Sequence, residues 1–272
     1  MLNFLENLDK DLQNALMIQL RNLWTHTSTA IEGNTLTLGE TAFVLEEGLT
    51  VSGKPLKDHE EVVGHARAID LIYGLLEQEM AFGEQELFDL HKAVQTQVLL
   101  DIYKPVGAWK KEPNSTVGVI KEKQVVFEYA SPDDVPYLME NWFDLYRQVD
   151  RARKTGDRTS TLDAYAALHV SFVRIHPFFD GNGRLARLIA NLPVLKSGLP
   201  PLIIPREQRK EYIDALSEYH YSVGQIKKGD DLLPECEALK GFVSFCEEAW
   251  KLSLSLVEEM HEKQRARNQR EK

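Results

Sequence analysis

The sequence predicts a mainly α-helical protein, a bundle of helices that carries one β-hairpin. Apolar residues recur at three- and four-residue steps along most of the 272-residue chain, which is the spacing of amphipathic helices. β-Branched residues concentrate in one region, residues 116–127, on both sides of a short charged segment. With 43% hydrophobic and 27% charged residues, the chain has the composition of a globular protein with one large core.

Charge and cysteine content exclude several classes of function. The net charge of −10 argues against nonspecific binding to nucleic acid or to an acidic membrane surface. Cys236 and Cys246 are ten residues apart, just before and within a segment that we predict to be helical, which disfavours a structural disulfide or a four-ligand metal site. No apolar run reaches about 18 residues, and the N-terminus carries acidic residues rather than a basic start followed by an apolar stretch. We therefore expect a cytoplasmic protein that binds neither nucleic acid nor membrane.

Periodicity places helices throughout the chain. In chain order, the predicted helical segments are residues 2–24, 34–51 (a turn and a short helix), 58–77, 84–99, 133–149, 161–175, 184–196, 206–221 and 239–262. The short helix should have Thr35 or Thr37 as its N-cap and should end at Gly48. Pro193 should kink the helix that contains it or end its regular hydrogen bonding. Beyond residue 262 we expect a solvated, frayed tail.

One stretch, residues 176–187, concentrates residues that are suited to chemistry. The helix before it stops at His176, because the ring of Pro177 disfavours helical geometry at the preceding residue. The loop that follows holds one imidazole, one carboxylate, one carboxamide and two glycines, and two arginines come after it. A second helix is expected from Arg184 onward.

The glycines and arginines of this loop suit phosphate binding. Gly181 and Gly183, on either side of Asn182, let backbone N–H groups turn inward and form a concave anion site. The site opens onto a helix N-terminus, which already favours phosphate. Arg184 and Arg187 project from one side of the first turn and can clamp successive phosphates.

A carboxylate and an imidazole complete the set. Asp180 is suited to Mg²⁺, which takes one or two carboxylates and completes its shell with phosphate oxygens and water. His176, with a reference pKa near ~6.5, is suited to accept a hydroxyl proton at neutral pH. Taken singly, these residues also have structural explanations, as a helix stop, a turn, a helix cap and a solvated helix face. Together they predict transfer of a phosphate-bearing group from a nucleotide to a hydroxyl.

Residues 176–187, HPFFDGNGRLAR, resemble the Fic family signature HxFx(D/E)GNGRxxR at every defined position. The resemblance implies a Fic-type helical bundle and a protein adenylyltransferase, which moves AMP from Mg-ATP to a Ser, Thr or Tyr hydroxyl of a protein. The related Doc branch, which phosphorylates its target, looks different at the glycines and the second arginine. The loop therefore favours AMP transfer.

The resemblance also implies a role for each position. His176 would be the base, Asp180 the Mg²⁺ ligand and Asn182 a contact of the α-phosphate. Arg184 would bind the inner phosphates and Arg187 the γ-phosphate. By the same resemblance, Tyr212 on the helix predicted at residues 206–221 would lie near the adenine.

A shorter motif lies near the N-terminus. Ser28 through Gly33 matches the inhibitory motif (S/T)xxxE(G/N) of the same family, within residues 24–34. Ser28 and Glu32 would share a helix face, and Gly33 and Asn34 supply a natural stop. The resemblance implies the class with an N-terminal inhibitory helix, in which Glu32 pairs with Arg187 and keeps it from ATP.

The β-branched region is expected to form the hairpin from residues 116–120 and 124–127. The resemblance implies that residues 104–129 are a flap that receives the target segment by strand addition, along Thr116, Val117, Gly118 and Val119. Residues 107–110, Gly-Ala-Trp-Lys, resemble the Gly-x-aromatic-Arg start of that flap, with Lys110 in place of the usual arginine.

We predict three segments that form one structural unit: an N-terminal helical region (1–84), a core with flap and catalytic loop (85–205) and C-terminal helices packed on that core (206–272). Partners are ATP with Mg²⁺ and a protein that presents a hydroxyl, which can be the protein itself; a homo-oligomer is compatible with the sequence. Two alternatives stay open: hydrolytic removal of AMP from a modified protein with water positioned by Glu32, and a non-catalytic nucleotide-binding regulator resembling a toxin–antitoxin partner.

Overall fold

Helices make up most of the molecule. The computed structural model describes residues 2–77, 81–96 and 103–270. In these ranges the elements are α1 (Lys10–Ile31), α2 (Leu38–Glu47), α3 (Leu56–Glu77), α4 (Glu84–Val94), β1 (Ser115–Ile120), β2 (Lys123–Glu128), α5 (Val135–Ala152), α6 (Arg158–Ile175), α7 (Asn182–Ile189), α8 (Asn191–Lys196), α9 (Arg209–Val223) and α10 (Glu237–Arg270). The mainly α-helical fold with a hairpin is confirmed.

The first helix begins later and ends later than predicted. Instead of covering residues 2–24, α1 starts at Lys10 and runs to Ile31, after a 3-10 turn at Asn3–Leu5. Asn7 takes a left-handed φ of 63°, which separates the turn from the helix. Because α1 continues to residue 31, the predicted inhibitory segment is its last two turns.

The next two helices form a small subcluster beside the main core. Thr37 caps α2 through a capping box with Glu40, and Gly48 ends it with a left-handed φ of 67°, as predicted. Leu36, Val44 and Val62 pack together there.

Helix α4 is shorter than the predicted span of residues 84–99. It ends at Val94, and Gln95 is already extended, with φ −95° and ψ 94°. The carbonyl of Val94 accepts a hydrogen bond from Arg184 at 3.2 Å, so this arginine occupies a group that a longer helix would have used. Residues 97–99 lie outside the described ranges.

The helix predicted at residues 184–196 is two helices. α7 already starts at Asn182, and the helix is interrupted at Ala190 before α8 begins. Pro193 explains the break, because it lacks the N–H that would bond to the carbonyl four residues earlier, in the last turn of α7.

The hairpin has the predicted strands and a tighter turn. β1 and β2 pair antiparallel with Ile120 opposite Lys123, which leaves only Lys121 and Glu122 in the turn. Both have positive φ, 48° and 65°, as a two-residue type I′ turn requires.

The C-terminal tail is ordered helix, so the predicted fraying beyond residue 262 is wrong. α10 continues to Arg270, because its last turns contact the start of α1. Gln264 accepts from the Asp9 N–H at 2.7 Å and donates to the Asp9 carboxylate at 2.9 Å. Arg267 pairs with Asp9 and Asp11.

The core lies around α6, which leads into residues 176–187, the predicted catalytic loop. Tyr165, Leu168, Phe172 and Ile175 of this helix are fully buried. They pack in one cluster with residues from Phe4 to Met260. The loop that follows α6 is thereby anchored in the least exposed part of the protein. Within the described ranges, no helix combines the length and apolar character needed to cross a bilayer.

Candidate active site

Most of the residues predicted for the site line one cavity of about 370 Å³. These are Glu32, Thr116, Val117, Gly118, His176, Asp180, Gly181, Asn182, Gly183, Arg184, Arg187 and Tyr212. Ser28 lies behind the cavity wall and contacts Arg187. Val119, which is 57% exposed, does not line the cavity.

His176 is the C-cap of α6 and has a left-handed φ of 55°. Its Nδ1 lies 3.2 Å from the Val173 carbonyl oxygen. A carbonyl can only accept, so Nδ1 carries the proton and Nε2 is left as the acceptor. The ring is half-buried at the edge of the cavity.

An aromatic residue from the hairpin side fixes the imidazole plane. The Tyr129 ring stacks on His176 with centroids 3.7 Å apart and an angle of 10°. The Tyr129 hydroxyl lies 2.7 Å from the Thr116 hydroxyl of β1. Burial, and secondarily the positive charge of Lys110, lower the pKa of His176 below its ordinary value. The imidazole is therefore neutral near pH 7 and keeps its Nε2 lone pair.

The carboxamide of Asn182 forms two hydrogen bonds to the backbone within the predicted catalytic loop. Its Oδ1 accepts from the Phe178 N–H at 3.0 Å, and its Nδ2 donates to the Phe178 carbonyl at 2.8 Å. The residue is 1% exposed. Its side chain therefore stabilises the backbone of the loop, while its backbone N–H lies in the first turn of α7. Gly181, the N-cap of α7, needs its left-handed φ of 84° to turn the chain there.

Asp180 and Arg184 form a pair at the mouth of that turn. The Asp180 Oδ2 lies 3.4 Å from Arg184 Nη2, and its Oδ1 accepts from the Gly181 N–H at 2.7 Å. Burial alone would raise the pKa of Asp180, but the charge of Arg184 and the hydrogen bonds from Gln95 and Gly181 lower it overall. The carboxylate is thus ionised at neutral pH, and 63% of its side chain is exposed.

Arg187 is buried and bound on several sides. Its Nε donates to Ser28 Oγ at 3.0 Å and its Nη2 to the Ser28 carbonyl at 2.9 Å. Nη2 also donates to Glu32 Oε1 at 2.6 Å, and Nη1 donates to the Tyr212 hydroxyl at 3.2 Å. Burial alone would lower the pKa of Arg187, but Tyr212 and Glu32 hold it above its ordinary value.

Glu32 reaches this arginine from the end of α1. It is the C-cap of the helix, and Gly33 follows with φ 101°. Arg209 of α9 donates to the carbonyl of Ile31 at 2.6 Å, which holds the end of α1 against α9. A Cβ on Gly183 would lie 2.7 Å from Glu32 Oε1, so the carboxylate occupies space that only glycine leaves free.

Several residues that support the site had not been predicted for it. His91 of α4 accepts from the Gly107 N–H at its Nδ1 (2.9 Å), so its Nε2 carries the proton and donates to the Asp180 carbonyl at 3.1 Å. Tyr129 was missed as well. Neither has a local signal, because their partners lie 89 and 47 positions away along the chain.

Lys110, noted in the sequence for replacing an arginine, is 2% exposed. Its N–H donates to the Pro177 carbonyl at 2.9 Å and its Nζ to Asn114 Oδ1 at 2.6 Å. Asn114 in turn donates to the Phe178 carbonyl at 2.9 Å. Lys110 and Asn114, which precede β1, therefore connect the hairpin to the catalytic loop through hydrogen bonds.

Comparisons with known proteins show what the chain is similar to. A family model described as Fic/DOC family matches residues 81–194. The chain is 35% identical over 199 residues to protein adenylyltransferase fic-1 of Caenorhabditis elegans, covering 71% of this chain and 35% of that protein. It is 33% identical over 202 residues to protein adenylyltransferase Fic of Drosophila erecta, with 71% and 35% covered. The chain thus spans about a third of the length of these curated relatives.

Solved structures match this fold over most of the chain. A Fic domain containing signaling protein from Bacteroides thetaiotaomicron matches with a TM-score of 0.77 at 28% identity, over 93% of this chain and 94% of that one. Fic-1 from Caenorhabditis elegans matches with a TM-score of 0.71 at 25% identity, over 96% and 69%. Residues 81–194, which contain the complete signature at residues 176–187, form a Fic/DOC family domain.

Proposed function

We propose that this protein transfers AMP from ATP to a hydroxyl side chain of a protein, and that Glu32 holds it in an inhibited resting state. The observation that carries the proposal is the orientation of His176, which has an unprotonated Nε2 and lines the same cavity as the α7 N-terminus and Arg187. The curated relatives named protein adenylyltransferase support the same activity.

The reaction needs one proton acceptor at the incoming hydroxyl. As the hydroxyl oxygen forms a bond to the α-phosphorus, its proton passes to His176 Nε2. The bond from the α-phosphorus to the oxygen that bridges it to the β-phosphorus breaks, and pyrophosphate leaves with that electron pair. The stack with Tyr129 keeps the imidazole plane fixed during this transfer.

The phosphates would bind the first turn of α7 and the two arginines. Backbone N–H groups at a helix N-terminus and buried guanidinium groups are strong donors to phosphate oxygens. Arg184 and Arg187 are 6% and 2% exposed, so their charges are little screened by water.

Asp180 fits Mg²⁺ as a lone carboxylate. The described ranges contain no group of three or more His, Cys, Asp or Glu placed for a metal, so the remaining ligands would be phosphate oxygens and water. Its carboxylate lines the cavity, is ionised and is mostly exposed. A bound Mg²⁺ would neutralise phosphate charge.

The hairpin is the proposed docking site for the target. Thr116, Val117 and Gly118 of β1 line the cavity, and Val117 and Val119 are 66% and 57% exposed. An extended target segment can add to an exposed strand through backbone hydrogen bonds and present its hydroxyl to His176. The target can be another protein or a second copy of this chain.

Glu32 opposes ATP binding in the resting protein. Its carboxylate lies 2.6 Å from Arg187 Nη2 and against Gly183, where a γ-phosphate would meet the same arginine. Two anions cannot share this place without strong repulsion. Inhibition therefore follows from competition for one guanidinium.

The proposal is tested with the Glu32→Gly variant, ATP labelled at the α-phosphate and a cell lysate. We expect label in protein bands, and no label in parallel reactions with ATP labelled at the γ-phosphate. Glu32→Gly with His176→Ala should lose about 10²–10⁴-fold in transfer while ATP still binds. Label transferred from the γ-phosphate, or equal transfer without His176, would refute AMP transfer by this base.

A further inference from the structure

We propose that Tyr212, supported by His169, positions Arg187 for the γ-phosphate, so that the arginine keeps its orientation when Glu32 leaves it. This inference rests on the proposed function, because it assigns a role in ATP binding to two residues of the same site. Tyr212 acts through Arg187 and is therefore a positioning residue.

The contacts of Arg187 come from two different elements. Ser28 and Glu32 reach it from α1, and Tyr212 reaches it from α9. When Glu32 gives way to a phosphate, only the bond from Nη2 to its carboxylate has to be exchanged. The bond from Nη1 to the Tyr212 hydroxyl belongs to another element and can persist.

The direction of the hydrogen bonds shows how the tyrosine is held. A guanidinium N–H can only donate, so the Tyr212 oxygen accepts from Arg187. The single proton of that hydroxyl is then available to His169 Nε2, which lies 3.1 Å away. His169 thus accepts, and its own proton sits on Nδ1.

Burial keeps both partners neutral. His169 is completely buried, and burial, with a further contribution from the charge of Arg187, lowers its pKa to about 3. The imidazole is neutral at any working pH and can accept the tyrosine proton. The Tyr212 ring is 1% exposed, and its centroid lies 5.6 Å from the guanidinium carbon. Only the hydroxyl, not the ring, is needed for the bond to Nη1.

The chain offers a matched control at Tyr165. This residue is also fully buried, and its ring stacks on His169 from the side of α6 with centroids 5.6 Å apart. Its hydroxyl has no hydrogen-bond partner among the described residues. Replacing Tyr165 by Phe therefore removes a buried hydroxyl from the same core without touching Arg187.

The first experiment compares ATP with ADP in the Glu32→Gly background, so that inhibition does not mask binding. Tyr212→Phe should raise the KM for ATP about tenfold, as loss of one hydrogen bond to a charged group predicts, with kcat changed less than about twofold. The Kd for Mg-ADP, which lacks the γ-phosphate, should stay the same. Tyr165→Phe should change neither constant.

The second experiment tests His169. His169→Leu should raise the KM for ATP as much as Tyr212→Phe does, and the two changes together should cost no more than either alone, because they remove one chain of hydrogen bonds. His169→Gln, which retains an acceptor, should recover part of the affinity.

Two results would overturn the inference. One is an unchanged KM for ATP in Tyr212→Phe. The other is an equal loss of affinity for ATP and ADP, which would place Tyr212 at the adenine or in a general structural role. A Glu32→Gly parent that binds ATP but transfers no AMP contradicts the proposed function alone, and Kd values for ATP and ADP then decide the role of Tyr212.

Discussion

His176 and Gly181 border the catalytic loop, and both take left-handed backbone conformations, with φ 55° and 84°. Glycine adopts this geometry freely, whereas a residue with a Cβ loses about 1–2 kcal/mol in it. The cost at His176 is offset by its N–H bond to the Phe172 carbonyl and by the stack with Tyr129. The backbone is therefore turned where the base must leave the helix direction and enter the cavity.

Gly183 should matter for inhibition as well as for phosphate binding. In Gly183→Ala, the added Cβ would lie 2.7 Å from Glu32 Oε1 and 3.2 Å from Arg187 Nη1, so the carboxylate has to move. We expect this variant to raise AMP transfer over the wild type, but less than Glu32→Gly does. In the Glu32→Gly background the same change should give no gain.

Initial rates of transfer from α-labelled ATP for the four proteins of this cycle measure the coupling. The Glu32→Gly background reports any harm that the methyl group does to nucleotide binding. An equal effect of Gly183→Ala in both backgrounds would show that Gly183 and Glu32 act independently.

At the scale of elements, the segment before the hairpin contacts the start of the catalytic loop. Lys110 and Asn114 bond to the carbonyls of Pro177 and Phe178, and Trp109 packs on Phe178 with ring centroids 5.3 Å apart. If a target strand binds the hairpin as proposed, these contacts connect it to the loop that begins at His176.

The buried Lys110 should change how the free energy of unfolding depends on pH. Burial lowers the pKa of Lys110 to about 7, against ~10.4 for an unfolded lysine. Between these values the unfolded chain binds a proton that the folded protein does not, so folding becomes more favourable as pH rises. From about pH 7 to about pH 8.5, the free energy of unfolding should rise more steeply in the wild type than in Lys110→Met, by up to about 1.4 kcal/mol per pH unit.

Urea unfolding at several pH values measures this slope. Lys111→Met, a change at the exposed neighbour, should keep the slope of the wild type. If Lys110→Met has the same slope as the wild type, the Lys110 ammonium is charged in the folded protein at neutral pH.

Periodicity and turn chemistry were sufficient to predict most elements but not how they end. The capping residues of α2 and the strands of the hairpin follow from local residue types. The end of α4 at Val94 could not be predicted, because a residue 90 positions away takes its carbonyl. Likewise, the bond from Tyr212 to Arg187 has no local signature, since tyrosine on an amphipathic helix is ordinary core packing.

At the scale of the whole molecule, the C-terminal end of α10 contacts the start of α1. The last turns of α10 bind Asp9 and Asp11 next to the start of α1, at sequence separations of more than 250 residues. A prediction from polarity gave a frayed tail there, because charged residues look solvated until their partners are known. The segment with Glu32 at its far end is thus fixed at both ends.

Gln264 should be the residue of this junction that matters most for stability. It is 5% exposed and makes two hydrogen bonds to Asp9. Gln264→Leu leaves the Asp9 N–H without its acceptor and should lower the free energy of unfolding by about 1–3 kcal/mol. Thermal or urea unfolding measures the loss, with the exposed Lys263→Leu as control. Equal stability of the two variants would mean that water replaces Gln264 at no cost.

Arg187 and Glu32, which form the ion pair at the centre of the site, differ in exposure. The Arg187 side chain is 3% exposed, whereas that of Glu32 is 40% exposed and follows the last residue of α1. Separating them requires the loss of one ion pair and the rotation of one exposed side chain, and no detachment of a helix. The resting and open forms should therefore exchange far faster than nucleotide molecules arrive. The proposed inhibition would then depend on equilibrium populations, and a rise in ATP concentration should be followed by higher occupancy without any delay.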